Sequence, residues 1–135
     1  CETWLLNEKQ SNKLDVFVRT CYRIMLGIRQ SEAHMTNKEL YKITGQRPIT
    51  CLIRERQLQF IGHCLRMPDD EPANIYALYT SCHQKETKKR GYLNQISAYL
   101  TSDRQIKLTT EEIVRYAKNK SNWYYRIAAP KQPDR

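Results

Sequence analysis

Three groups of basic side chains stand out in this chain of 135 residues: Arg54, Arg56 and Arg66; Lys85, Lys88, Lys89 and Arg90; and Lys118 with Lys120, near Arg115 and Arg126. Guanidinium and ammonium groups suit phosphate oxygens. Neutralising phosphates releases counterions, so such binding tolerates many sequences and falls steeply with salt. Positions 54 and 66 lie roughly 120° apart round a helix axis, so these arginines do not close as one clamp. The run from Lys85 to Arg90 is the densest cationic cluster, offset by Glu86 alone, and reads as an exposed loop gripping a nucleic-acid backbone. Further on, Trp123, Tyr124 and Tyr125 are interleaved with positive charge. An exposed ring there could stack on an unpaired base, while Trp123 is expected to fill the core.

Other chemistry is poorly provided for. The carboxylates Asp69 and Asp70 could attract magnesium, but they lack a third carboxylate and a strand-turn setting, and they follow Met67 and Pro68 just past a helix. They read as a solvated loop. His63-Cys64 and Cys82-His83 offer zinc-ligand types, yet helical neighbours point about 100° apart and rarely reach one ion. His63 reads instead as a packed histidine beside Gly62, a glycine that permits close helix approach, and Cys21, Cys51 and Cys64 as small core residues. No nucleotide-binding glycine loop and no Ser/His/Asp arrangement can be assembled. No catalytic residue, metal ligand or cofactor is assigned.

Composition points the same way. Lysine and arginine number 23 against 14 acids, a formal charge of +9, which favours a polyanionic partner: nucleic acid first, an anionic membrane surface second. The apolar stretches fall well short of the ~20 residues of a membrane span, and no secretory signal opens the chain. The expectation is a soluble, intracellular protein without a membrane partner. Five cysteines with no CxxC argue against a disulfide framework. The sequence starts at Cys1 rather than a methionine, and Glu2-Thr-Trp-Leu-Leu6 enters in mid-pattern, so a piece cut from a longer product is expected.

Helices must position these groups. Leu14, Phe17, Val18, Cys21, Ile24 and Met25 fall at three-and-four spacing and predict an amphipathic helix from Asn7 to Met25, stopped by Gly27. Thr36 and Glu39 form a capping box for a short helix ending at Gly45. Pro48 opens a longer helix to Met67, with Leu52, Ile53, Phe60, Cys64 and Leu65 as its buried stripe and arginines elsewhere. Pro68 stops it, and a short helix follows from Ala73 to Tyr79. Leu93, Ile96, Tyr99 and Leu100 space as another helix face, and 101–107 reads as a connector. Thr109 and Glu112 make a second capping box for a helix carrying Ile113, Tyr116 and Ala117, and Ser121 is read as the cap of a last turn around Trp123 and Tyr124. No segment alternates with period two, so the fold is expected to be all-α, with about five to seven short and medium helices. The domain reading is a helical region over 1–82, a basic loop over 83–92, a helical lobe over 93–129 and a tail over 130–135, the two lobes either separate or one packed unit.

Six short segments also carry a resemblance: Cys1-Glu-Thr-Trp4, Cys21-Tyr-Arg-Ile-Met-Leu-Gly-Ile28, Thr36-Asn-Lys-Glu-Leu40, Thr44-Gly-Gln-Arg-Pro48, Ile53-Arg-Glu-Arg-Gln-Leu58 and Gly62-His-Cys-Leu-Arg-Met-Pro-Asp-Asp70. In this order and spacing they resemble the carboxy-terminal part of non-LTR (LINE-type) retrotransposon reverse transcriptases. Lys88-Lys-Arg-Gly91 resembles that family's basic segment, and Leu108-Thr-Thr-Glu-Glu112 with Ala117-Lys-Asn-Lys-Ser-Asn-Trp123 its final helix and tryptophan motif. Where the family usually has Gly-Arg-Pro and a later Trp, this chain has Gly91, Tyr92, Leu93 and Ile96, losing an arginine and a rigid proline.

The resemblance implies a segment that follows the polymerase thumb, helps to hold template RNA or target DNA, and partners the parent's polymerase domain during target-primed reverse transcription, in the nucleus at the site of integration. The catalytic carboxylates would lie upstream. Two rivals come from the residues alone: a stand-alone helix-turn-helix DNA binder with Thr44-Gly45-Gln46 as its turn, and a helical protein-interaction module.

Overall fold

The computed structural model describes residues 1–78, 92–93, 96 and 108–127, and the fold is all-α, with no strand among those residues. The helices are α1 Glu8–Met25, α2 Gln30–Ala33, α3 Asn37–Thr44, α4 Ile49–Cys64, α5 Pro72–Leu78, α6 Thr110–Lys118 and α7 Lys120–Ile127; Tyr92, Leu93 and Ile96 are also helical. Tyr99, Leu100 and the expected connector at 101–107 lie outside the described residues. The chain divides into two compact units, one drawn from Cys1–Leu5 and Arg54–Pro133 and the other from Leu6–Ile53, so the division falls inside α4.

The second unit is built on α1. Asn7 caps it by accepting from the Gln10 N–H at 2.8 Å, and the Gln10 side chain answers to the Asn7 N–H at 2.9 Å. Its end is a Schellman turn: Ile28 N–H donates to Arg23 O at 2.8 Å and Gly27 N–H to Ile24 O at 3.1 Å. This turn needs φ of +66° at Gly27, which a residue without Cβ adopts at no steric cost. Arg23 donates to Gln30 Oε1 and Asn37 Oδ1, both at 3.0 Å, tying α1 to α2 and to the start of α3. The Thr36–Glu39 box opens α3 and Gly45 closes it, as expected. Apolar burial here is thin, at Leu40 and Ile53, and no residue of α1 is buried.

The first unit holds the main core: Leu58, Ile61, Cys64, Leu65, Ala77, Leu93, Ile96, Ile113, Ala117 and Trp123. Along α4 the buried face runs through Gln57, Leu58, Ile61 and Cys64, which fall within about 120° on one side of the helix. Of the expected stripe Ile53, Cys64 and Leu65 are buried, whereas Leu52 and Phe60 are only partly buried. Helix α4 ends at Cys64, short of Met67. The N-terminal residues are pinned to this unit. Gln57 Nε2 donates to Trp4 O at 2.5 Å and to Cys1 O at 3.4 Å, and the Tyr92 hydroxyl donates to Glu2 O.

Helix α6 has the expected Thr109–Glu112 box. The cap of α7 differs from expectation: Asn119, not Ser121, accepts the Asn122 N–H, at 3.1 Å. Asn119 leaves the helical region at φ −94°, ψ 106°, so one residue terminates α6 and caps the next helix. This corner turns Trp123 into the core, where it is 1% exposed.

Candidate nucleic-acid interface

The cations named from sequence have unequal surroundings. Arg54 lies on α4 and is partly buried; Arg56, on the same helix, is exposed, with Nη1 3.8 Å from a Glu2 carboxylate oxygen. An exposed pair at that distance holds the guanidinium only weakly. Arg66 is engaged differently. Its Nη1 donates to Ala117 O at 2.9 Å, in the last turn of α6, where helix carbonyls lack intrahelical donors and the dipole is negative. Most of its donor capacity remains, but its position is set by closing a helix.

Lys118 ends α6 and Lys120 begins α7, and both are exposed. The Arg115 guanidinium lies 5.6 Å from the Tyr116 ring centroid, a cation–π distance. On α7, Tyr124 is 42% and Tyr125 75% exposed, directly after the buried Trp123. Lys120 and Tyr124 stand one turn apart on one side of α7, so an ammonium and a ring present together. That i, i+4 spacing is visible in the sequence, but the face it occupies depends on Asn119 turning the chain. Beside these residues, Leu78, Thr110, Glu111, Val114, Arg115 and Lys118 line a shallow open groove of about 480 Å³. The arrangement can neutralise phosphates and stack a base. Lys85, Lys88, Lys89 and Arg90 lie outside the described residues.

The remaining reactive types are dispersed. Asp69 and Asp70 are exposed in the turn after α4, and no group of three His, Cys, Asp or Glu among the described residues could hold a metal ion. His63 is exposed, not packed as expected: Gly62 takes the inward position, and one residue on the helix turns the imidazole to solvent. Burial pushes the Cys64 thiol above its ordinary pKa. Among the described residues no helix is long and apolar enough to cross a membrane.

At the start of α4 the Asp15 carboxylate is already in place: Oδ1 accepts the Thr50 N–H at 3.2 Å and Oδ2 the Thr50 hydroxyl at 2.7 Å. A helix N-terminus is where an anion is most favoured, and here a side chain supplies it. Comparison with family models, with curated proteins and with solved structures finds no match to this chain.

Proposed function

We propose that this chain is a non-catalytic nucleic-acid-binding segment of a LINE-type reverse transcriptase, working beside its parent polymerase domain in target-primed reverse transcription at a nuclear site of integration. The observation that carries the reading is the order and spacing of the six segments between Cys1 and Asp70 that resemble that family. The formal charge of +9 and the exposed Arg56, Lys118 and Lys120 support phosphate contact, and Tyr124 and Tyr125 supply rings beside the last two. The helix-turn-helix alternative is weakened by Asp15. A recognition helix presents its first turn to DNA, and a carboxylate there repels phosphate.

The test is titration of the 135-residue chain against labelled single-stranded RNA and duplex DNA over a salt series. The Lys118→Ala/Lys120→Ala and Lys88→Ala/Lys89→Ala/Arg90→Ala variants are measured in parallel. The reading requires sequence-tolerant binding whose salt slope is shallower in either variant. Retained preference for one duplex at moderate salt would favour the sequence-specific binder, and absence of binding at low salt would remove the nucleic-acid role.

A further inference from the structure

Helices α6 and α7 are separated by a single residue, and Lys118 and Lys120 stand on either side of it. In one continuous helix, residues two apart point about 200° from each other round the axis and do not face one partner. Asn119 breaks that continuity. Its backbone is extended at φ −94°, ψ 106°, its side chain accepts the Asn122 N–H at 3.1 Å, and its carbonyl accepts the Trp123 N–H at 2.9 Å. The two lysines therefore belong to different helices that meet at one corner.

The corner is held on both sides against α4 and the turn that follows it. Arg66 donates to Ala117 O in the last turn of α6, and Trp123 on α7 donates through Nε1 to Leu58 O. All of these residues lie within the unit that contains Arg54–Pro133. Cations whose backbone is fixed in this way lose less freedom on meeting a ligand than cations on a loose loop.

Helix stability accounts for one of the lysines and not for the other. Lys118 closes α6, where the dipole favours a cation. Lys120 opens α7, where the dipole disfavours one, and no acid stands in that first turn to offset it. A charge set against its own helix is the kind of local conflict expected at a functional position.

We infer, resting on the nucleic-acid reading above, that Asn119 is a positioning residue. By dividing α6 from α7 it brings Lys118 and Lys120 as a pair onto phosphates of a single strand.

The probe is a labelled single-stranded RNA titrated with the whole chain over a salt series. Beside wild type stand Lys118→Ala/Lys120→Ala, Asn119→Ala, which removes the cap, Asn119→Ser, which keeps one, and the triple variant Lys118→Ala/Asn119→Ala/Lys120→Ala. Circular dichroism verifies that each remains helical. Asn119→Ala should weaken binding about threefold or more and lower the salt slope by about 1, Asn119→Ser should hold both near wild type, and Asn119→Ala should have no further effect once the lysines are gone. Lys120→Ser/Ser121→Lys tests the placement without touching the corner. It keeps the net charge and alters exposed positions only, but moves the ammonium about 100° round α7, so it should lose as much slope as Lys120→Ala. Wild-type binding by this swap overturns the inference, because the charge then acts only in bulk. So does an equal loss from Asn119→Ala with and without the lysines, which makes Asn119 merely structural. If Lys118→Ala/Lys120→Ala itself binds as tightly as wild type, the reading of these lysines as phosphate contacts falls, and the inference with it.

Discussion

Trp123 packs directly against the backbone of Gly62, and its indole Nε1 donates to Leu58 O at 2.8 Å. A Cβ on Gly62 would fall 2.5 Å from Cδ1 and 2.7 Å from Cε2 of that ring. The indole is rigid and fully enclosed, so the contact cannot be relieved by swinging a flexible tip. In an open helix, Gly→Ala gains about 1 kcal/mol from propensity. Here overpacking, about 1–3 kcal/mol, opposes and outweighs it. Gly62→Ala should therefore lower the urea midpoint, and Trp123→Ala should lower it further by opening a cavity, at about 3–5 kcal/mol. A Gly62→Ala chain more stable than wild type would refute this account of the contact.

Asp15 and Thr50 form a polar junction between α1 and the start of α4 within the Leu6–Ile53 unit. Because the carboxylate serves a backbone donor at the start of α4 as well as a hydroxyl, Asp15→Ala should cost about 1–2 kcal/mol, in the range of a lost helix cap. Thr50→Val removes only the hydroxyl. A double-mutant cycle should show coupling of about 1 kcal/mol between the two, read from urea unfolding; strictly additive effects would mean the pair contributes separately.

Both threonine capping boxes and the glycine that stops α1 were legible because they are local: a hydroxyl and a carboxylate three residues apart, or a glycine just past an apolar run, have few other stable arrangements. The all-α class followed from spacing alone. What was not legible depends on distant partners. Nothing near Arg66 in sequence announces the Ala117 carbonyl 51 residues on, and nothing beside Gln57 announces Trp4 O. The same holds for His63. A glycine next to it did signal close approach, but only the position of Trp123 decides which of the two residues faces inward.

Glu39 gives the stability of α3 a pH dependence. The Thr36 backbone N–H, at 2.8 Å, and then the Thr36 hydroxyl, also at 2.8 Å, hold its carboxyl below the ordinary glutamate range. The folded value is the depressed one, so the contribution is complete above the ordinary value near ~4.3 and is lost as pH falls through the folded value. Glu39→Gln keeps a box-compatible side chain but cannot titrate. The difference in urea midpoint between wild type and this variant should be constant near neutrality and shrink only in acid. A difference that shrinks between neutrality and about pH 5 would assign it to another group.

Cys64 should be the slowest of Cys1, Cys21, Cys51 and Cys64 to alkylate. It is buried where those three are partly exposed, and burial holds its thiol in the protonated, unreactive form. Iodoacetamide labelling followed by peptide mass spectrometry should show Cys64 modified only when urea unfolds the chain. Labelling of Cys64 at the rate of Cys21 in native buffer would mean the core around Leu65 and Trp123 opens readily.

Arg66 separates stability from binding within the cationic set. Its bond to Ala117 O secures the end of α6, so Arg66→Ala should destabilise the chain by about 1–2 kcal/mol, whereas Lys118→Ala and Lys120→Ala, both exposed, should each change stability by about 0.5 kcal/mol or less. If the lysines meet phosphates, their joint removal weakens binding and lowers the salt slope by about 2. Arg66→Lys cannot reproduce the forked guanidinium and should recover stability only in part while leaving the salt slope near that of wild type. Paired urea and salt titrations distinguish the cases. A salt slope that falls in Arg66→Gln, measured where that variant remains folded, as much as in a single lysine variant would place Arg66 on phosphate as well as on the helix end.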